Sequence, residues 1–349
     1  VILMNEDKIF IATSGTTLSR AERTNGSWKV TQPLQGRRFN CLASDPLQTQ
    51  RIFAGTQGDG VLVSEDAGNT WQAAGLQGKI VKSLAVSPHA AHTVFAGCNP
   101  ASLYVSRNGG ESWDELEGMR RARKWWWFSP AEPPSWTPYV IAITISPTNP
   151  NVIMAGIELG GVLRSEDGGT TWSNHRRGAV RDCHSLKYHA KNGDWIYEGG
   201  GTGVGAAFSR DGGKTWHQPK DKLAKKYGWM VAADPARPEV WYLSASPQPK
   251  LLRGEFVPPA HQDGHAKAHI YRSAAGAPWE QLSGGLPEPL NYMAYALITD
   301  PDAPGQLYAG MSNGDVYHTT DHGDSWEQLP FNMSGIYSMI MIRKEISDG

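Results

Sequence analysis

The residues of this chain best equipped for chemistry lie in one stretch. Arg176 and Arg177 precede Arg181-Asp182-Cys183-His184, and Glu198-Gly199-Gly200-Gly201 follows. Asp182, His184 and Glu198 offer acid–base or nucleophilic groups, because carboxyl and imidazole side chains can move a proton or attack an electrophilic carbon. The arginines offer bidentate grips for an anion. A glycine run beside Glu198 would let a ligand approach the backbone closely. The plainer alternative is a buried ion pair that fixes the local fold. Cys183 and His184 alternate along an extended strand, so no Cys–His nucleophile pair is expected.

A repeat has to position these groups. The run Ser64-Glu65-Asp66-Ala67-Gly68-Asn69-Thr70-Trp71 recurs at 165–172 and 209–216. Near matches stand at 106–113, where Asn108 takes the Asp place, and at 319–326. Weaker copies end at Trp28 and Trp279. The seven tryptophans at 28, 71, 113, 172, 216, 279 and 326 are spaced by 43, 42, 59, 44, 63 and 47 residues, which is one repeat length with two large insertions. In each copy a short carboxylate ahead of glycine closes a turn by accepting backbone N–H bonds, and Thr-Trp then opens a strand. Each repeat also divides into four short strands, as at 40–44, 51–54, 60–64 and 70–73. Seven such units predict an all-β fold, a seven-bladed β-propeller of four-stranded blades over 1–349, with insertions near 118–140 and 246–267. The surplus C-terminal run 337–342 is expected to join the N-terminal blade and close the ring, with residues 1–4 competing for that place.

The Ser-x-Asp-x-Gly-x-Thr-Trp pattern resembles the Asp-box, or BNR repeat, of sialidase-like propellers, over nearly the whole chain. The chain looks most similar to uncharacterised bacterial BNR-repeat proteins described as sialidase-like or as glycosyl hydrolases, which implies a carbohydrate-active enzyme. Asp-box propellers also include xyloglucan-active hydrolases, sorting-receptor ectodomains and photosystem II assembly factors, the last with an arginine-rich face. Sialidases have six blades, an arginine triad and a Phe-Arg-Ile-Pro signature, whereas this chain has seven units and Gly36-Arg37-Arg38-Phe39. Xyloglucan-active relatives pair two propellers, and this chain has one.

In such a ring the first strand of each blade lies at the axis and the fourth at the rim. The Asp-boxes join strands three and four, so their carboxylates belong to one end, the bottom, as turn structure. Connections between blades, and from strand two to strand three, fall at the top, together with both insertions. The blade-to-blade connections there carry fifteen Lys and Arg, including Arg120, Arg121, Arg123, Lys124 and Lys220, against the four acids Glu132, Asp182, Asp221 and Glu288, on a chain of net charge −1. A mouth of one sign focuses the field on ligands of the other. Aligning the first strands on Pro46, Pro88, Pro147, Ala190, Pro235 and Pro301 puts Asn40, Lys82, Ile141, His184, Trp229 and Tyr295 at one level six residues earlier. Four residues earlier stand Leu42, Leu84, Ile143, Leu186, Val231 and Leu297, of the same parity and hence the same strand face. The upper level is expected to ring the mouth of the channel. The expected substrate-binding residues are Arg37, Arg38, Asn40, Lys82, Trp127, Arg177, Arg181, Tyr227, Trp229, Tyr292 and Tyr295, with aromatic faces stacking on a sugar or a guanidinium. Asp182, Glu198 and His184 are the expected catalytic groups. The consecutive Trp125, Trp126 and Trp127 cannot all point one way, so at least one is expected to pack inward.

Composition bounds the rest. The chain is long enough for a real core, and no apolar run is long enough to span a bilayer. Three Cys exclude a disulfide framework and favour a reducing compartment. Residues 1–7 lack a basic flank and a long apolar stretch, so no signal peptide is seen and a cytoplasmic place is expected. Near-zero net charge argues against a nucleic-acid partner. No Walker loop, dinucleotide fingerprint or His-Glu-x-x-His run is present, and no cofactor is expected. His261, His265 and His269 would share a helix face, but Pro258-Pro259 and Gly264 oppose a helix, so no metal site is expected there. The leading expectation is a glycosidase-like hydrolase acting on a small anionic or carbohydrate ligand at the top mouth. The rivals are a non-catalytic module that binds an acidic glycan, peptide or protein, and a structural assembly scaffold.

Overall fold

A computed structural model describes residues 8–127, 136–219, 223–248, 250–252, 255–257, 261, 264–274 and 277–344. Seven antiparallel sheets form the blades of a ring. The first blade is completed by the C-terminal strand. Ser338–Arg343 lies inside Lys8–Thr13, and Thr17–Thr24 and Ser27–Gln35 follow outward. The ring thus closes as the surplus C-terminal run predicts, and residues 1–4 lie outside the described residues. The other blades run in chain order from axis to rim. Their inner strands are Phe39–Ser44, Ile80–Val86, Val140–Ile145, Cys183–His189, Tyr227–Ala233 and Ala294–Thr299. Each inner strand packs against the next, and the seventh against the first.

The core lies between blades rather than inside one. Leu103, Val105, Ile143 and Ile153 pack together where the third blade faces the fourth. Second strands such as Ile153–Ile157 are buried along their whole length, because a neighbouring blade covers each face. Two blades depart from the expected four strands. In the fourth, His175 Nδ1 accepts the Val162 N–H at 3.2 Å, where an outer strand would offer a carbonyl. In the fifth, the rim shrinks to a bridge of Phe208 and His217, with bonds of 2.9 and 2.8 Å, and Pro219 has no N–H to extend it.

The Asp-boxes are turn structure at the bottom. In the box at 209–216, Asp211 Oδ1 accepts from Ser209 Oγ at 2.8 Å and from the Thr215 N–H at 2.9 Å, while Oδ2 accepts from Thr215 Oγ1 at 2.6 Å. Gly213 sits at φ +85°, a conformation glycine adopts without strain, and its N–H donates to Ser209 Oγ at 2.9 Å. The Trp216 indole N–H donates to the Gly213 carbonyl at 3.2 Å. Asn108 does the same work in the third blade, with Oδ1 accepting from Ser106 Oγ at 2.8 Å and from the Ser112 N–H at 3.0 Å. These carboxylates are spent on the fold.

The level of the mouth residues holds, but the parity argument behind it does not. At the upper aligned position every one of the six strands carries a register shift, at Phe39/Cys41, Val81/Ser83, Val140/Ala142, Cys183/Ser185, Gly228/Val231 and Ala294/Ala296. The extra residue of a β-bulge breaks the two-residue alternation and re-aims a side chain. Asn40, Lys82, Ile141, His184, Trp229 and Tyr295 therefore owe their direction to a bulge repeated around the ring. The first insertion opens with a helix, Glu117–Ala122, and the second holds a hairpin of Lys250–Leu252 and Glu255–Val257. Among the described residues no helix is long and apolar enough to cross a membrane.

Candidate functional site

The richest group of side chains stands at the top, where the fourth, fifth and sixth blades meet. Asp182 lies just before the inner strand of the fifth blade and His184 at its bulge. The His184 Nδ1–H donates across to the Gly228 carbonyl of the sixth blade at 2.8 Å. Asn40, at the same level of the second blade, makes the matching bond, its Nδ2 donating to the Val81 carbonyl of the third blade at 2.9 Å. His184 is thus a blade-to-blade brace with one nitrogen left over. That nitrogen, Nε2, stands 3.6 Å from Asp182 Oδ2.

Glu158 completes the group, and sequence reasoning missed it. It follows the second strand of the fourth blade, Ile153–Ile157, with its own N–H donating to the Tyr139 carbonyl at 3.1 Å. One ligand-type atom from each of Glu158, Asp182 and His184 lies within 4.8 Å of the other two. The signal was available. Glu158-Leu159-Gly160-Gly161 is a strand-two to strand-three turn, one of the top connections, but the charge count covered only the connections between blades. Asp182 is 7% exposed and His184 8%. Burial raises the Asp182 carboxyl above its ordinary range, against the pull of His184 and the Leu159 backbone. Burial lowers the His184 imidazole, against the pull of Asp182 and the Gly228 carbonyl.

Glu198 is placed differently. It sits mid-strand between Leu186 and Ala207, with 0% exposure, and its Oε2 accepts the Val180 N–H at 2.8 Å. Burial pushes this carboxyl well above the carboxylate range, only partly opposed by the Val180 and Cys183 hydrogen bonds. Cys183 is buried in the cluster between the fourth and fifth blades, and its thiol is raised by burial and then by Glu198. Glu198 and Cys183 stand behind the group rather than in the mouth.

Aromatic rings wall the site on the side of the sixth and seventh blades. His184 packs on Tyr227 and Trp229 at centroid distances of 4.9 and 4.4 Å. Trp229 meets Tyr295 at 5.1 Å, and Tyr295 meets Tyr337 at 5.4 Å. His261, from the second insertion, stacks on Tyr227 and Trp229 at 5.6 and 5.0 Å, and its Nδ1 is 2.7 Å from Tyr295 Oη. Tyr337 was out of view because the six-strand alignment omitted the C-terminal strand. His265 is exposed, and His269 packs its ring on Tyr271 instead of joining His261.

The remaining expected residues divide. Arg177 and Arg181 are exposed, and Arg181 lines a cleft of about 500 Å³ with Trp126, Leu159, Val180, Thr202 and Gly203, directly beside the Glu158–Asp182 group. Arg37 and Arg38 are exposed in the second blade, and Arg37 pairs with Asp59 at 3.1 Å. Lys82 is buried, with its ammonium 5.3 Å from the centre of the Tyr139 ring. Trp127 is the tryptophan that packs inward, in the cluster with Met119, Val140 and Ile157, while Trp125 is 91% exposed. Tyr292 is exposed over a separate hollow lined by Leu290, Met311 and Tyr317. The basic excess is also smaller than the connections suggest. Glu115 and Glu117 pair with Arg120 and Arg121 at 3.1–3.8 Å, acids that the count left out.

Known proteins place this architecture. The BNR/Asp-box repeat family matches residues 207–218, the box of the fifth blade. No curated protein sequence matches the chain. Among solved structures, an ancestral GH74 enzyme superposes with a TM-score of 0.62 at 20% identity, over 83% of this chain and 38% of that one. The GH74 xyloglucanase from Xanthomonas campestris gives 0.62 at 17% identity, over 83% of this chain and 45% of that one. YCF48 bound to D1 peptide gives 0.58 at 12% identity, over 90% of this chain and 94% of that one. The chain spans less than half the length of the two GH74 enzymes. It is a seven-bladed β-propeller that carries the BNR/Asp-box repeat.

Proposed function

We propose that the top mouth acts as a glycosidase-like hydrolase on a small anionic, carbohydrate-like substrate. The observation that carries the reading is the convergence of Glu158, Asp182 and His184 beside a cleft bearing Arg181. Likeness of fold to GH74 enzymes, one of them a xyloglucanase, supports a carbohydrate substrate. Arg181 and Arg177 would hold the anion, with Arg37 and Arg38 further round the mouth. Tyr227, Trp229 and Tyr295 would present ring faces to the sugar. Glu158, Asp182 and His184 would polarise the scissile bond and handle the proton, and Glu198 would steady the Val180 backbone beside them. A panel of chromogenic anionic and neutral glycosides tests this. Turnover should drop about 100-fold or more in Asp182→Asn, the range for loss of an acid–base group. Glu198→Gln should cost less. Unchanged turnover in Asp182→Asn would sink the assignment.

A second reading, non-catalytic recognition of an acidic glycan, peptide or protein, is favoured by a separate observation. Trp125, Trp126, Trp136, Tyr292 and Tyr337 are exposed on top-end connections, while the acid–base groups are buried. Its test is affinity for an acidic peptide across a salt series. Binding should weaken as salt rises and in Arg181→Ala, and salt-independent binding refutes it.

A further inference from the structure

The geometry points to a divalent metal ion held by Glu158, Asp182 and His184. One ligand-type atom from each lies within 4.8 Å of the other two, and all three residues are buried. The imidazole is arranged as a ligand. Its Nδ1–H donates to the Gly228 carbonyl at 2.8 Å, so the neutral ring presents a bare lone pair at Nε2. A backbone carbonyl on the second nitrogen is the usual outer support of a metal-bound histidine. Nε2 has no hydrogen-bond partner among the described residues, and neither has Asp182 Oδ1. Nε2 and Asp182 Oδ2 are both acceptors and stand 3.6 Å apart, beyond hydrogen-bond range. The spacing suits a shared ion. Two ligand atoms each about 2.1 Å from a cation, at a tetrahedral angle, are about 3.4 Å apart. The Asp182 carboxyl, buried with Oδ1 unpartnered, is the group an ion would satisfy most directly.

Glycine at 201 keeps the group clear of a side chain, and a cleft lies alongside. A Cβ on Gly201 would fall 2.1 Å from Asp182 Oδ2 and 2.9 Å from His184 Cε1, so any side chain there would crowd the site. Leu159, Arg181 and Thr202, each next in sequence to Glu158, Asp182 or Gly201, line the neighbouring cleft. One imidazole nitrogen with two carboxylates suits Zn²⁺ or Mn²⁺ better than Ca²⁺ or Mg²⁺. The inference concerns the site of the hydrolase reading but does not need turnover.

The test uses tag-free protein stripped with EDTA and titrated calorimetrically with Zn²⁺ and Mn²⁺, with metal content read by mass spectrometry. One ion per chain is expected, with a raised Tm. Asp182→Asn and Glu158→Gln should each weaken binding about tenfold or more. Gly201→Ala should abolish binding with all three ligands intact, and Glu111→Gln, exposed at the opposite end, should change nothing. Co²⁺ substitution supplies a visible spectrum whose shift in Asp182→Asn reports on the ligand directly. Folded wild-type protein that takes up no stoichiometric ion overturns the inference. So does binding that survives all three site variants, or Mg²⁺ binding as tight as Zn²⁺. Ion binding without glycoside turnover removes only the hydrolase reading, and glycoside turnover by protein that takes up no stoichiometric ion removes only this inference.

Discussion

Replacing His184 separates what the imidazole does for the fold from what it does for the site. Its Nδ1–H braces the fifth blade to the Gly228 carbonyl of the sixth at 2.8 Å, and its ring packs on Tyr227 and Trp229 at 4.9 and 4.4 Å. His184→Ala removes both and leaves a buried carbonyl unpaired. Lost packing at a buried site costs about 2–5 kcal/mol, and an orphaned carbonyl about 1–3 kcal/mol. The two overlap, so about 3–5 kcal/mol is expected. His184→Asn is different, because Asn40 shows that asparagine at this level reaches the neighbouring carbonyl, at 2.9 Å to Val81. The brace is kept and only part of the ring contact is lost, about 1–2 kcal/mol. An unfolding entropy of about 2.1 cal/mol/K per residue over 349 residues amounts to about 0.7 kcal/mol per kelvin. The expected falls in Tm are then about 4–7 °C for the alanine variant and about 1–3 °C for the asparagine one. Calorimetry reads stability, and glycoside turnover with peptide binding reads function. The asparagine variant should be well folded and functionally impaired, because it has no lone pair in the place of Nε2. Equal Tm losses in the two variants would refute the brace. Full function in the asparagine variant would refute any role for Nε2.

Other outcomes follow from the same geometry. Asp211→Asn should be tolerated far better than Asp211→Ala, since Asn108 already fills that box position in the third blade; similar Tm losses in the two would contradict the turn account. The box at 319–326 carries a pH signature. Burial raises the Asp321 carboxyl, but hydrogen bonds from Ser325, Thr319 and the backbone outweigh that and hold it at about 2. A depressed carboxyl stabilises above its unfolded pKa of about 3.9, and that contribution fades as pH falls through the folded value. The Tm gap between wild type and Asp321→Asn should therefore narrow from pH 5 to pH 2, and a constant gap would refute it. Trp127→Ala should cost about 3–5 kcal/mol as a core deletion, whereas Trp125→Ala should stay within about 0.5 kcal/mol. Comparable losses on thermal unfolding would mean the insertion packs otherwise.

Much of the architecture was legible because it is periodic. Tryptophans at a spacing near 43, each behind a Ser-x-Asp-x-Gly turn, specify the blade, and their number specifies the ring. The turn chemistry is local, since all the partners of Asp211 lie within four residues of it, so sequence separation hides nothing. The level of the mouth residues was legible for the same reason. What failed was alternation. A bulge inserts one residue, and no residue type at Phe39, Val81 or Cys183 announces it. The fourth strands of two blades were overread because His175 and Pro219 end pairing by side-chain chemistry that a strand pattern does not register.

The candidate site divides along the same line. Asp182 and His184 are close in sequence, and their types alone marked the stretch as reactive. Glu158 belongs to the preceding blade, His261 to an insertion of the next, and Tyr337 to the far end of the chain. Their meeting with His184, Trp229 and Tyr295 depends on how neighbouring blades stagger. Glu198, sixteen residues from Asp182, turned into the blade instead of the mouth, a choice made by the pairing of Leu186, Glu198 and Ala207. The order of strands, the turns and the closure of the ring were written in local periodicity. Which carboxyls are buried together at the mouth was decided only when seven blades packed, because burial and proximity are properties of neighbours and not of spacing.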